Sequence, residues 1–86
     1  MQPELMDFSN RTGNELFRWL SQRALEELSE QSDFDRMTAM MGAALIAVAE
    51  VLRGSVEKGS DVGKLVDLSS RWLRTLLEPV ADKGAI

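Results

Sequence analysis

Between Met37 and Ala49 the sequence runs for thirteen residues without a charge: Met-Thr-Ala-Met-Met-Gly-Ala-Ala-Leu-Ile-Ala-Val-Ala. No other feature constrains the fold as much. The run is bounded by Asp33, Asp35 and Arg36 on one side and by Glu50 and Arg53 on the other. A transmembrane helix needs about 20 predominantly apolar residues, so this run is too short and no membrane partner is expected. It has no alternation of apolar and polar residues, which excludes a half-buried strand. A buried helix is the remaining reading, and it asks for cover on every side. In a small bundle each helix normally keeps one face towards water.

The chain that must supply this cover is short, at 86 residues. A chain of this size buries only about 60% of its unfolded surface, so a second copy or a partner protein would help to hold it together. Apolar residues recur at helical spacing, and the sequence predicts an all-α bundle of three main helices in one domain over residues 1–86. The first spans about 13–31, opened by a capping box with Thr12 as cap and Glu15 three residues on. Leu16, Phe17, Leu20, Ala24 and Leu28 share an arc of about 120° on it, a core-facing stripe. A separate short helix is expected at 3–10, with Pro3 at its first position. The second helix spans 34–53, capped by Ser32 or Asp33 and stopped by Gly54. The third spans 61–78, between a Ser60 or Asp61 cap and Pro79. Its apolar face, Val62, Leu65, Val66, Trp72, Leu73, Leu76 and Leu77, places Trp72 in the core. Residues 81–86 read as a flexible tail.

Composition removes most chemistry. The chain has no cysteine, histidine or tyrosine, hence no thiol nucleophile, no disulfide and no imidazole base or ligand. Asp33 and Asp35 lack the further ligands of a calcium loop and instead suit the positive end of a helix. Glu26, Glu27 and Glu30 form an acidic face with no Glu-x-x-His partner. Ser69 falls on the buried side between Leu65 and Leu73, where a small residue filling a tight helix crossing explains it better than a nucleophile, and Val62-Gly63-Lys64 lacks the order of a phosphate loop. No catalytic residue, cofactor or metal is therefore expected, and an enzyme using carboxylates and a metal is an outsider. The net charge of −4 argues against direct nucleic-acid binding. The second helix presents alanine and methionine where a helix-turn-helix reader needs polar and basic groups. The first residues carry no secretory signal pattern, and the expected compartment is the cytoplasm.

The residues left to carry function are those of a binding surface. Ala39, Ala43 and Ala47, four apart, form a smooth ridge. Met37, Met40 and Met41 beside it supply adaptable surface that tolerates different partners. Trp19 falls outside the core stripe next to Arg23, and tryptophan with arginine dominates binding hot spots. The competing reading packs Trp19 against Phe8 and Leu5. In general build, an acidic, cysteine-free helical chain of this length looks like small bacterial regulators that occupy another protein. These include anti-activators that sequester transcriptional activators, and co-chaperones of secretion systems. The resemblance implies a non-enzymatic regulatory protein acting by protein–protein binding, with a chaperone-like or structural subunit as the alternative. A homodimer through the middle helix is expected alongside.

Overall fold

The computed structural model describes residues 2–84, with side chains up to Pro79. It contains three helices and, among the described residues, no strand: α1 (Pro3–Glu27), α2 (Asp33–Glu57) and α3 (Val62–Gly84). The chain is thus a small all-α bundle, as the periodicity predicts. The chain divides into two compact units, residues 1–47 and 48–86, with the division inside α2.

The helices are longer than punctuation in the sequence suggests. No break separates 3–10 from the first main helix, because α1 runs through Thr12 and Gly13 without a cap. Two causes act together. A second helix would need a second costly nucleus, whereas extending the first adds one bond per residue. The apolar stripe also continues in phase: at 100° per residue, Leu5, Met6 and Ser9 fall on the same side as Leu16 and Leu20. Asn14 Nδ2 donates to the Asn10 carbonyl at 2.7 Å across the expected boundary. One long helix also separates Phe8 from Trp19 by three turns, about 16 Å along the axis, so the Phe8–Trp19 cluster does not form. Pro3 does open α1.

The other ends shift for identifiable reasons. α1 stops at Glu27 rather than Gln31, with Leu28 closing it through a 2.8 Å bond to the Ala24 carbonyl. The carbonyls beyond are taken by Arg36, as described below. α2 continues past Gly54 to Glu57 and ends instead at Gly59, whose φ of 98° is in the left-handed region. There the Ser60 N–H donates to the Ser55 carbonyl and the Gly59 N–H to that of Val56, both at 3.0 Å. This is the double closure of a Schellman motif, which requires the left-handed residue one position past the cap. α3 passes through Pro79 to Gly84. Proline cannot donate to the Thr75 carbonyl, but Thr75 is exposed and water can take the vacated bond. The tail expected from Ala81 is therefore helical as far as Gly84, and Ala85 and Ile86 lie outside the described residues.

Packing is thin. In the first unit Leu20, Ala24 and the α1 cap Leu28, and Arg36, Met40 and Ala44 on α2, are covered at four-residue spacing, with Ser9, Ser21 and Gly42 half-buried beside them. Only Ala24 is fully buried, at 7% exposure, among the described residues. Leu16 and Phe17 of the expected core stripe remain half or more exposed. In the second unit Leu52, Leu65 and Ser69 are half-buried, and Trp72 is 37% exposed rather than in a core. The largest correction concerns α2, which has no buried residue although its composition is that of a core helix. Its hydropathy and length also meet the general criterion for a membrane-crossing helix. The uncharged run, however, covers about 20 Å of axis against an apolar bilayer thickness of about 30 Å.

Candidate protein-binding groove

The first unit contains a groove of about 420 Å³ between α1 and α2. Leu20 and Ala24 of α1 with its cap residue Leu28 form one wall, and Ala39, Met40 and Ala43 of α2 the other. The alanines keep it open, because a methyl leaves space that a leucine would fill. Trp19, Arg23 and Glu27 stand along its α1 rim, successive positions four apart and thus stacked on one helix face.

The rim residues hold one another. The Arg23 guanidinium lies 5.3 Å from the Trp19 ring centroid, within cation–π reach. Its Nε pairs with Glu27 Oε2 at 2.9 Å. These contacts are solvent-exposed, so they add little stability; an exposed pair of this type contributes about 0.2–1 kcal/mol. Their effect is to order the arginine before anything binds, which lowers the conformational cost of using it. The Arg23 Nη groups and the Trp19 indole N–H have no hydrogen-bond partner among the described residues. Trp19 is 55% exposed. The rim therefore offers a large aromatic surface and unused donors above an apolar floor.

The turn that sets α1 beside α2 is held by one side chain. Arg36, 17% exposed, reaches back from the first turn of α2 to the end of α1. Its Nη1 donates to the carbonyls of Leu28, at 3.2 Å, and Gln31, and lies 3.5 Å from that of Ser29. Its Nη2 pairs with Asp33. A cation at a helix C-terminus both satisfies orphan carbonyls and complements the negative end of the dipole. Ser32 is the α2 cap, accepting from the Asp35 N–H at 3.1 Å.

Of the eight residues singled out by sequence, the groove unites Trp19, Arg23, Ala39, Met40 and Ala43. Met37 and Met41 lie elsewhere on α2, exposed to solvent, and Ala47 is exposed outside the groove. Sequence reasoning did not single out Glu27 or Arg36. The Arg23–Glu27 spacing of four was a usable signal for the first. For Arg36 the three-residue spacing from Asp33 signalled the ion pair, but nothing signalled its bonds to backbone carbonyls up to eight residues away. Three of the five acidic residues considered for metal binding are otherwise engaged: Asp33 with Arg36, Glu27 with Arg23, and Glu26 with Gln22 Nε2 at 3.2 Å. Among the described residues no three acidic side chains converge on a metal-sized site. The Ser69 hydroxyl donates to the Leu65 carbonyl at 2.9 Å, and Asp61 Oδ1 accepts the Lys64 N–H at 3.1 Å as the α3 cap. No known protein family, characterised protein or solved structure matches the chain.

Proposed function

We propose that this chain is a non-enzymatic regulatory protein of the cytoplasm that binds a larger protein, such as a transcriptional activator, and holds it out of action. The observation that carries the reading is Trp19, a half-exposed aromatic ordered against Arg23 on the rim of an apolar groove. The fitting ligand is an amphipathic segment of the partner, most simply a helix laid into the groove. One large apolar side chain would enter between Ala24, Ala39 and Ala43, and a neighbouring carboxylate would meet the free Arg23 donors. Burying the Trp19 ring and satisfying the arginine together supply the two residue types that dominate hot spots. The acidic balance of the chain supports a protein partner over nucleic acid.

The test separates binding from folding. Tagged wild-type protein and Trp19→Ala are compared for the proteins they retain from the native host, with thermal melts of both. The expected result is a retained partner lost at least about 30-fold in the variant, the scale of a hot-spot residue, with the melting temperature barely moved. A large drop in melting temperature would assign Trp19 to structure. Unchanged retention would remove the groove as the recognition surface.

A further inference from the structure

The groove has a sign as well as a shape. Residues 1–47 carry eight acidic and four basic side chains, and residues 48–86 carry six of each, so the net charge of −4 belongs to the unit that holds the groove. Acids stand along its rim. On α1, Glu15, Glu26, Trp19 and Arg23 share an arc of about 80°, with Glu27 next to it on the groove side. On α2, Asp35 precedes Ala39 by one turn and shares its face. All four carboxylates are exposed. The cations of this unit do not neutralise them. Arg23 pairs with Glu27 at 2.9 Å, and Arg36 is turned to Asp33 and the end of α1. Arg11 and Arg18 lie about 160–180° round α1 from Leu20, on the far side from the groove. Among the described residues Glu15 and Asp35 have no ion pair, and Glu26 meets only the neutral amide of Gln22.

We propose that the segment the groove takes is a basic amphipathic helix, with lysine or arginine flanking its apolar side chains. The inference rests on the groove reading and adds the partner's charge to it. The apolar side chains fill the alanine-lined floor, and one carboxylate beside them meets Arg23. Bases on the flanks meet Glu15, Glu26 and Asp35. Shape and charge divide the work. Burial of Trp19 and the floor supplies affinity, because exposed rim pairs add little each. The rim decides between helices of equal apolar face. Four carboxylates against one guanidinium repel a helix with acidic flanks and steer a basic one into place.

The probes are three model helices of about five turns with the same leucine face and one glutamate beside it. Their outer positions carry lysine, glutamine or glutamate. Each is titrated calorimetrically into the full chain at about 50 and about 300 mM salt, which changes screening of the rim. The lysine helix should bind at least about 10-fold more tightly than the glutamine helix at low salt, and the glutamate helix most weakly. High salt should remove most of the difference, since the rim charges are exposed. Glu15→Gln combined with Glu26→Gln should cut the advantage of lysine about 5-fold. Glu4→Gln combined with Asp7→Asn removes the same charge about 18 Å or more along α1 from Trp19, and should change affinity by less than about 2-fold. Trp19→Ala should weaken the lysine and glutamine helices alike, by about 30-fold or more.

Lysine and glutamine helices that bind equally, both lost with Trp19→Ala, overturn the charge assignment and leave the groove standing. Equal losses in the two double variants also overturn it, since binding then follows the charge of the whole chain. A lysine helix that keeps its affinity for Trp19→Ala overturns both readings. One that fails to bind at about 1 mM overturns this inference, while retention of host proteins by Trp19→Ala still decides the groove by itself. A chain that dimerises, with Trp19→Ala a monomer, gives the groove to a second copy and overturns the inference too.

Discussion

The two corners of the chain do the same job by different means. Between α1 and α2, the carbonyls just past the end of α1, those of Leu28 and Gln31, are taken by Arg36, a side chain from the next helix. Between α2 and α3, the carbonyls of Ser55 and Val56 are taken by the backbone N–H groups of Ser60 and Gly59. The first corner depends on one long side chain finding its place across eight residues. The second depends only on the freedom of glycine at a φ of 98°. A corner of the first kind ties packing to chain direction, and the groove sits directly beside it. A corner of the second kind is local, and would form with much the same geometry wherever the sequence occurred.

Three substitutions break or sharpen this contrast. Arg36→Ala has the largest expected effect, about 2–3 kcal/mol, because several charge-assisted bonds at a partly covered site are lost together. Arg36→Lys, a point charge without the fork, should recover only part of it. Chemical denaturation of the three proteins measures the order, and equal stability of all three would make the Arg36 contacts incidental. Gly59→Ala comes next, with a loss of about 1–2 kcal/mol from backbone strain alone, since no atom lies within 4 Å of the added methyl. Gly59→Asn should recover much of this loss, asparagine being tolerant of the left-handed region. The smallest effect has the opposite sign. Gly54 lies inside α2 with open space around it, so Gly54→Ala should gain about 0.5–1 kcal/mol. If Gly54→Ala destabilised the protein instead, helix interior would be the wrong description of that position.

The two glycines also show where sequence reasoning stops. Each is a sound local signal for a helix end, and the expected end fell on Gly54 because it comes first. What chose Gly59 was the pair of backbone bonds that only that position completes. In the same way Thr12, Gly13 and Glu15 form a valid capping box that is not used. The stripe from Leu5 to Leu28 stays in phase, so uninterrupted helix costs less than a second start. Trp19 and Arg23 were legible as a pair because four-residue spacing is a property of the helix itself. Ala39, Met40 and Ala43 were legible as a smooth surface, though nothing in their order says that α1 forms the other wall. The role of Arg36 at the corner was illegible beyond its pairing with Asp33, because a bond to a carbonyl leaves no trace in the identity of the residue that carries it.

The sequence by itself determined the helical class, the number of main helices and the chemistry denied to the chain. Each of these follows from periodicity or from residue types that are present or missing. The tertiary structure decided how the thirteen uncharged residues are used. Composition marks them for burial on all sides, but burial depends on what lies opposite, which periodicity cannot specify. The fold turns Ala39, Met40 and Ala43 towards α1 and leaves Met37, Met41 and Leu45 in water.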